Sequence, residues 1–147
     1  VKLARIRRAS VPPEYFGMLR EGLNNAVVAG KAVVTCIHDA GNPDIFAEIA
    51  ELMLRLEGVR SSVCYGRYAD LIYLSTRAAD ARGNCAQRMK RVVHGIGTGG
   101  GHLSMAGGQV PLKGDADAML DEVRGRVLAI FAPGQIPRPL LEKPPCA

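Results

Sequence analysis

Gly95-Ile96-Gly97-Thr98-Gly99-Gly100-Gly101-His102, closed by Ala106-Gly107-Gly108, is the stretch on which the fold turns. Five of the seven residues from Gly95 to Gly101 are glycine. A tight connection needs one or two, since each glycine adds to the entropy lost on folding. The run Gly95-x-Gly97-x-x-Gly100 has the spacing of a dinucleotide-binding turn, but such a turn follows a strand and opens a helix. Here Met89, Val92 and Val93 form the apolar stripe of a helix just before the glycines, so the dinucleotide fold is excluded. A P-loop is excluded as well, because no Lys-Ser/Thr follows the glycines and His102 stands in that place. What remains is a glycine-rich loop whose N–H groups can converge on an anion. His102, at its lip, can donate a hydrogen bond or a proton.

Working outward, Pro12-Pro13 suits the first turn of a helix. Tyr15, Phe16, Leu19, Leu23, Ala26 and Val27 then recur at helical spacing, with Gly30 placed to close it. Ala32–Ile37, short, β-branched and nearly all apolar, reads as a buried strand. Asp44 is the expected N-cap of a helix carrying Ile45, Ile49, Leu52, Met53 and Leu56 on one side, with Glu51 and Arg55 paired outside and Gly58 at its end. Residues 61–65 and 69–76 are expected to form a hairpin around Gly66-Arg67-Tyr68. Asn84 and Gln87 have the spacing of a capping box. Downstream of the glycines, Gln109–Leu112 is expected as a short edge strand, because Pro111 cannot donate to a ladder. Asp117 opens a last helix through Leu120, Val123, Val127 and Phe131, which Pro133 stops. The fold class this order predicts is α/β in the α+β sense: a small mixed β-sheet flanked by helices.

Composition narrows the function classes. The chain has 147 residues, enough for one domain with a core. The net charge of +5 suggests nucleic acid, but Lys2, Arg5, Arg7 and Arg8 supply nearly all of it; the other residues hold 15 basic and 14 acidic groups. Residues 1–13 are therefore expected to be a basic linker, 14–132 the domain, and 133–147 a proline-rich, extended tail. No apolar run is long enough to span a bilayer and no signal peptide is visible. Cys36, Cys64, Cys85 and Cys146 include no C-x-x-C pair, so a ribbon or finger metal site is not expected; the first three read as small core residues. A reducing, cytoplasmic compartment is the expectation.

Two side chains stand out beside the glycines. Arg77 closes the run Ser75-Thr76-Arg77 at the end of the expected central strand, where ligands of α/β sheets gather, and an Arg there can hold a phosphate by two parallel hydrogen bonds. His102 follows three consecutive glycines, which leave its surroundings open. His38 and His94 lack such company and read as structural or merely exposed.

These residues resemble the DHHA1 domain, the C-terminal half of DHH-family phosphoesterases of the exonuclease and oligoribonuclease type, over roughly Gly30 to Phe131. The resemblance rests on the stretch Ala50–Val59, on Leu74-Ser75-Thr76-Arg77, and above all on Gly99-Gly100-Gly101-His102 with its downstream Ala-Gly. It implies that Arg77, Gly99, Gly100, Gly101 and His102 hold the phosphates and sugar of a substrate, with no catalytic residue and no bound cofactor or metal in this chain. One departure is Met105, where the family places a small residue. The resemblance further implies a DHH domain ahead of residue 1, in which clustered Asp and His residues hold divalent metals, usually manganese. The chain begins at Val1 without Met, which agrees with its being a piece of a longer protein. Implied substrates are short oligonucleotides, nucleoside bisphosphates or cyclic dinucleotides. A nucleic-acid-binding module of the kind appended to alanyl-tRNA synthetases, and a polyphosphatase domain, stay open beside that reading. A DHH domain in the same chain is the expected partner, a membrane is not, and a second copy of the chain is left open.

Overall fold

Pro12 and Pro13 open a helix as expected: the structure, a computed structural model, describes residues 10–142, and its first helix, α1, spans Pro13–Asn25. The leader before residue 10 lies outside the described residues. The helix stops five residues short of Gly30. Val27–Ala29 instead form strand β1, and Gly30, at φ +58°, makes the hairpin turn into β2, Ala32–Asp39. Ala26 and Val27 continue the helical spacing by coincidence; β-branched Val27 and Val28 are satisfied by pairing with Val34 and Val33.

β2 is buried along most of its length, and helix α2, Asp44–Met53, carries the chain across to β3, Ser61–Tyr68, which lies parallel to β2. The N-cap position of α2 is Pro43 rather than Asp44, and Asn42, just before it, accepts from Asp44 N through Oδ1 at 2.9 Å. Ile45, Phe46, Ile49, Ala50 and Met53 are buried as the spacing predicts, but Leu52 is 42% exposed and the helix ends before Leu56. β4, Leu71–Ala78, pairs antiparallel with β3 around Ala69-Asp70, not around Gly66-Arg67-Tyr68. Gly66 lies within the strand because a Cβ there would sit 1.8 Å from the Ile37 carbonyl oxygen, beside an irregularity in the β2–β3 register. It answers a packing demand, not a turn.

A 3-10 turn over Ala81–Gly83 leads to helix α3, Cys85–Val92. Asn84 donates its amide to Gln87 Oε1 at 2.8 Å, but its side chain caps no backbone N–H. That task falls to the glycine-rich region: Cys85 N and Ala86 N donate to the carbonyls of Leu103 and His102, each at 2.9 Å.

Gly95 and Gly97 lie in the turn that follows α3, but Gly99–Gly101 do not form a loop. Thr98–Gly101 is strand β5, and Met105–Pro111 is β6, joined by a tight turn through His102. The expected edge strand at 109–112 is thus a seven-residue inner strand between β5 and β4. Pro111 does no harm there. Leu112 N donates to Asp70 O on the β4 side, so the Pro111 nitrogen faces the opposite side, where β5 has already ended.

Helix α4, Ala116–Phe131, is capped by Asp115, two residues before the expected Asp117. Within the expected tail, Arg138–Pro139 form β7 against β1. The sheet order is β5-β6-β4-β3-β2-β1-β7, with β2–β3 the parallel pair.

Both faces of the sheet carry helices. α3 and α4 cover one face through Met89, Val92, Val123 and Val127 against Val34, Val63, Ile72, Leu74 and Val110. α1 and α2 cover the other through Ile45, Phe46 and Ile49 against Val33, Ile37 and Cys64. On that second face the helices pack on β2, β3 and β4, and among the described residues the half of the sheet beyond β4, built from β6 and β5, is left bare. β6 shows it directly: Ala106, Gly108 and Val110 are buried toward α3, while Met105, Gly107 and Gln109 are exposed. Among the described residues no helix is long and apolar enough to cross a membrane.

Candidate functional site

The bare half-face is ordered by its ladder into three rows. Arg77 lies opposite Met105, beside the His102 turn; Ser75, Gly107 and Gly100 form the middle row; Tyr73, Gln109 and Thr98 form the third. Rows on one face are two residues apart along each strand, about 7 Å.

Arg77 is held rigidly. Nη1 donates to Ser75 Oγ at 3.1 Å and to the Thr76 carbonyl at 2.9 Å, and Nε faces Glu51 Oε2 at 3.2 Å. Its side chain is only 16% exposed. Among the described residues Nη2 has no partner, so one edge of the guanidinium remains for a ligand. His102 is exposed; its backbone is tied at both ends, N to Met105 O at 2.7 Å and O to Ala86 N. The ring makes no hydrogen bond or ion pair among the described residues. Arg77, Ser75, Gly100, Gly101 and His102 line one surface depression, with Met105 at its rim.

Each expected site residue has a definite place. Arg77, Gly100, Gly101 and His102 come together. Gly99 does not join them: a Cβ on it would point into the core, 2.9 Å from Met89 Cγ. Gly101 is needed by the turn, since its φ is +150° and a Cβ would meet the Met105 carbonyl oxygen at 2.5 Å. Because Gly99–Gly101 are extended, their N–H groups alternate in direction and form no converging nest. The polar groups around the flat glycine floor are therefore side chains, not converging N–H groups.

Glu51 was expected to pair with Arg55 along its helix, yet it crosses to Arg77. The i,i+4 spacing gave no hint of this, because the contact joins a helix to a strand 26 residues away. Tyr73, Thr98 and Gln109 carried no signal in the sequence either; only the register of three strands assembles them. His38 belongs elsewhere. Its backbone N donates to Glu21 Oε2 at 2.8 Å, and its Nδ1 lies 2.9 Å from the same oxygen.

Cys64 and Cys85 are fully buried and Cys36 is half-buried. Burial, reinforced by the Glu21 carboxylate, pushes the Cys36 thiol up to about 12, and burial also raises Cys64 and Cys85. None is a poised nucleophile. Among the described residues no group of three His, Cys, Asp or Glu side chains could hold a metal ion. The donor set for a divalent metal is therefore not found among them.

A family model for the DHHA1 domain matches residues 29–128. The uncharacterized protein MJ1633 of Methanocaldococcus jannaschii is 28% identical over 111 residues, covering 75% of this chain and 22% of that protein. The chain thus spans about a fifth of that relative's length. An exopolyphosphatase-related protein from Bacteroides fragilis superposes with a TM-score of 0.59 at 14% identity, over 88% of this chain and 39% of that one. The PF0399 DHH domain, described as a member of the s1p family of ribosomal proteins, gives 0.51 at 18% identity, over 81% and 31%. Both structural likenesses are of fold.

Proposed function

The chain belongs to the DHHA1 domain family, and on that premise we propose that it is the substrate-binding half of a phosphoesterase. The observation that carries the reading is the meeting of Arg77 and His102 on a bare, glycine-floored half-face. The open Nη2 of Arg77 neutralises phosphate charge while the His102 ring donates a hydrogen bond, and charge-assisted hydrogen bonds such as that of Arg77 are roughly twice as strong as neutral ones. With its Ser75 and Thr76 bonds already made, Arg77 loses little side-chain entropy when an anion arrives.

On this reading a DHH domain of the same protein would hold the divalent metal, and that metal would supply an activated water. The role of Arg77 and His102 is to fix the phosphate for that domain and to withdraw charge from it. Substrates of this reading are short oligonucleotides, nucleoside bisphosphates or cyclic dinucleotides. An RNA-binding module is less well supplied: aromatic residues are 5% of the chain, and strand binding without sequence preference draws on stacking platforms and basic grooves.

Titration of the chain with a mononucleotide and with a long RNA, at two salt concentrations, tests the reading. Binding of the mononucleotide at moderate salt, weakened at least tenfold by Arg77→Ala or His102→Ala with the melting temperature preserved, is the expected result. Binding of RNA alone, with a steep salt dependence, would replace the phosphoesterase reading by the RNA-binding one.

A further inference from the structure

Most of the glycines of β5 and β6 are explained by packing, and two are not. A Cβ on Gly99 or Gly108 would lie 2.9 Å from Met89, and one on Gly97 would lie 2.1 Å from the Gln109 carbonyl oxygen. A Cβ on Gly100 would meet nothing within 4 Å, and one on Gly107 only the Leu74 carbonyl oxygen at 3.4 Å, an ordinary contact. Neither position has a positive φ. Glycine weakens a strand, so two side-by-side glycines that the fold does not require mark a place where something else approaches the backbone.

Gly100 and Gly107 share the middle row of the bare half-face, between Arg77 and His102 on one side and Tyr73, Gln109 and Thr98 on the other. The third row lines a depression of its own, continuous with the glycine floor. Gln109 and Thr98 are exposed, and between them offer an amide and a hydroxyl, donors and acceptors both. Tyr73 walls the row on the helix side. Its ring is fixed by stacking on Phe46, centroids 6.1 Å apart at 4°, and by an edge contact with Tyr68 at 5.9 Å. Charge lies at one end, a flat surface without side chains in the middle, and hydrogen-bonding groups beside an aromatic wall at the other. Three rows span about 13 Å, the layout of phosphate, sugar and base.

The geometry points to Tyr73, Gln109 and Thr98 as a nucleobase subsite, with the sugar lying flat on Gly100 and Gly107. The inference rests on the phosphate-site reading above and narrows it to substrates that carry a base, against inorganic polyphosphate. Gln109 reads the hydrogen-bonding edge of the base, as amide side chains commonly do.

The test is calorimetric or NMR titration of the chain with adenosine 5′-monophosphate, ribose 5-phosphate and tripolyphosphate. The nucleotide is expected to bind at least tenfold tighter than ribose 5-phosphate. Gln109→Ala, at an exposed position, should erase that factor and leave ribose 5-phosphate unchanged. Gly107→Val should weaken both sugar phosphates. Equal affinity for nucleotide and ribose 5-phosphate, both lost in Arg77→Ala, would overturn the base subsite while sparing the phosphate site, as would tripolyphosphate binding tighter than the nucleotide. Nucleotide binding indifferent to Arg77→Ala would overturn the phosphate site itself, and binding of none of the three ligands would overturn both.

Discussion

Replacing Gly100 by Ala should leave the domain as stable as before, or slightly more so. The new methyl group enters open space, at a backbone conformation any residue adopts. Removing glycine from such a position reduces the freedom of the unfolded chain, worth about 0.4–1 kcal/mol. At about 2–4 °C per kcal/mol for a domain near this size, the melting temperature should rise by about 1–4 °C. Gly97→Ala is the matched control, three residues away. There the methyl would sit 2.1 Å from the Gln109 carbonyl oxygen and 3.0 Å from Val110 Cα, and backbone cannot rotate aside as a side chain can. Overpacking of this severity costs about 3 kcal/mol, a fall of about 6–12 °C. Thermal melts followed by circular dichroism compare the two directly. If Gly100→Ala melts as low as Gly97→Ala, the floor glycine is a packing requirement and the argument that it is kept bare for a ligand collapses.

Glu51→Gln removes the carboxylate that competes for Arg77; because Glu51 is largely exposed, the expected gain is modest, an anion affinity about threefold tighter with stability changed by under about 1 kcal/mol, and weaker binding in a titration would show instead that Glu51 positions Arg77. Thr76 is fully buried and its hydroxyl donates to the Ser62 carbonyl at 2.9 Å, so Thr76→Val should cost about 1–2 kcal/mol in denaturant unfolding, and a neutral result would show the bond to be dispensable. The Cys36 thiol, ordinarily losing its proton near 9.0, holds it in the folded chain to about 12. The stability this confers is present in full below pH 9 and drains away as pH rises toward 12, because the unfolded chain releases the proton first. Melting temperature against pH should therefore fall less steeply over that window in Cys36→Ala than in the unaltered protein.

The legible parts of this fold were those whose signal is local. β2 shows as a run of apolar β-branched residues because it is covered on both faces, and α2 and α4 show through apolar residues that return every turn toward one core. Arg77 was legible as a charged residue closing an apolar strand, and His102 through its glycine neighbours. The failures share a cause. Gly66 and Gly99–Gly101 all read as turn or loop residues, yet glycine also stands where a Cβ would strike a neighbour, as Gly66 would strike Ile37 and Gly99 would strike Met89. Which of the two reasons applies depends on what lies across the sheet. Pro111 misled in the same way, its missing donor mattering only on the side where β5 no longer runs.

By itself, then, the sequence determined the class of fold, the family and two side chains of the candidate site, because composition, periodicity and a short motif are carried by neighbouring residues. Only the tertiary structure decided that the glycines are a strand, that Glu51 answers Arg77, and that Tyr73, Gln109 and Thr98 share a row. Those relations arise from strand register and from where helices stop covering a sheet, and both are settled by contacts between residues far apart in the chain.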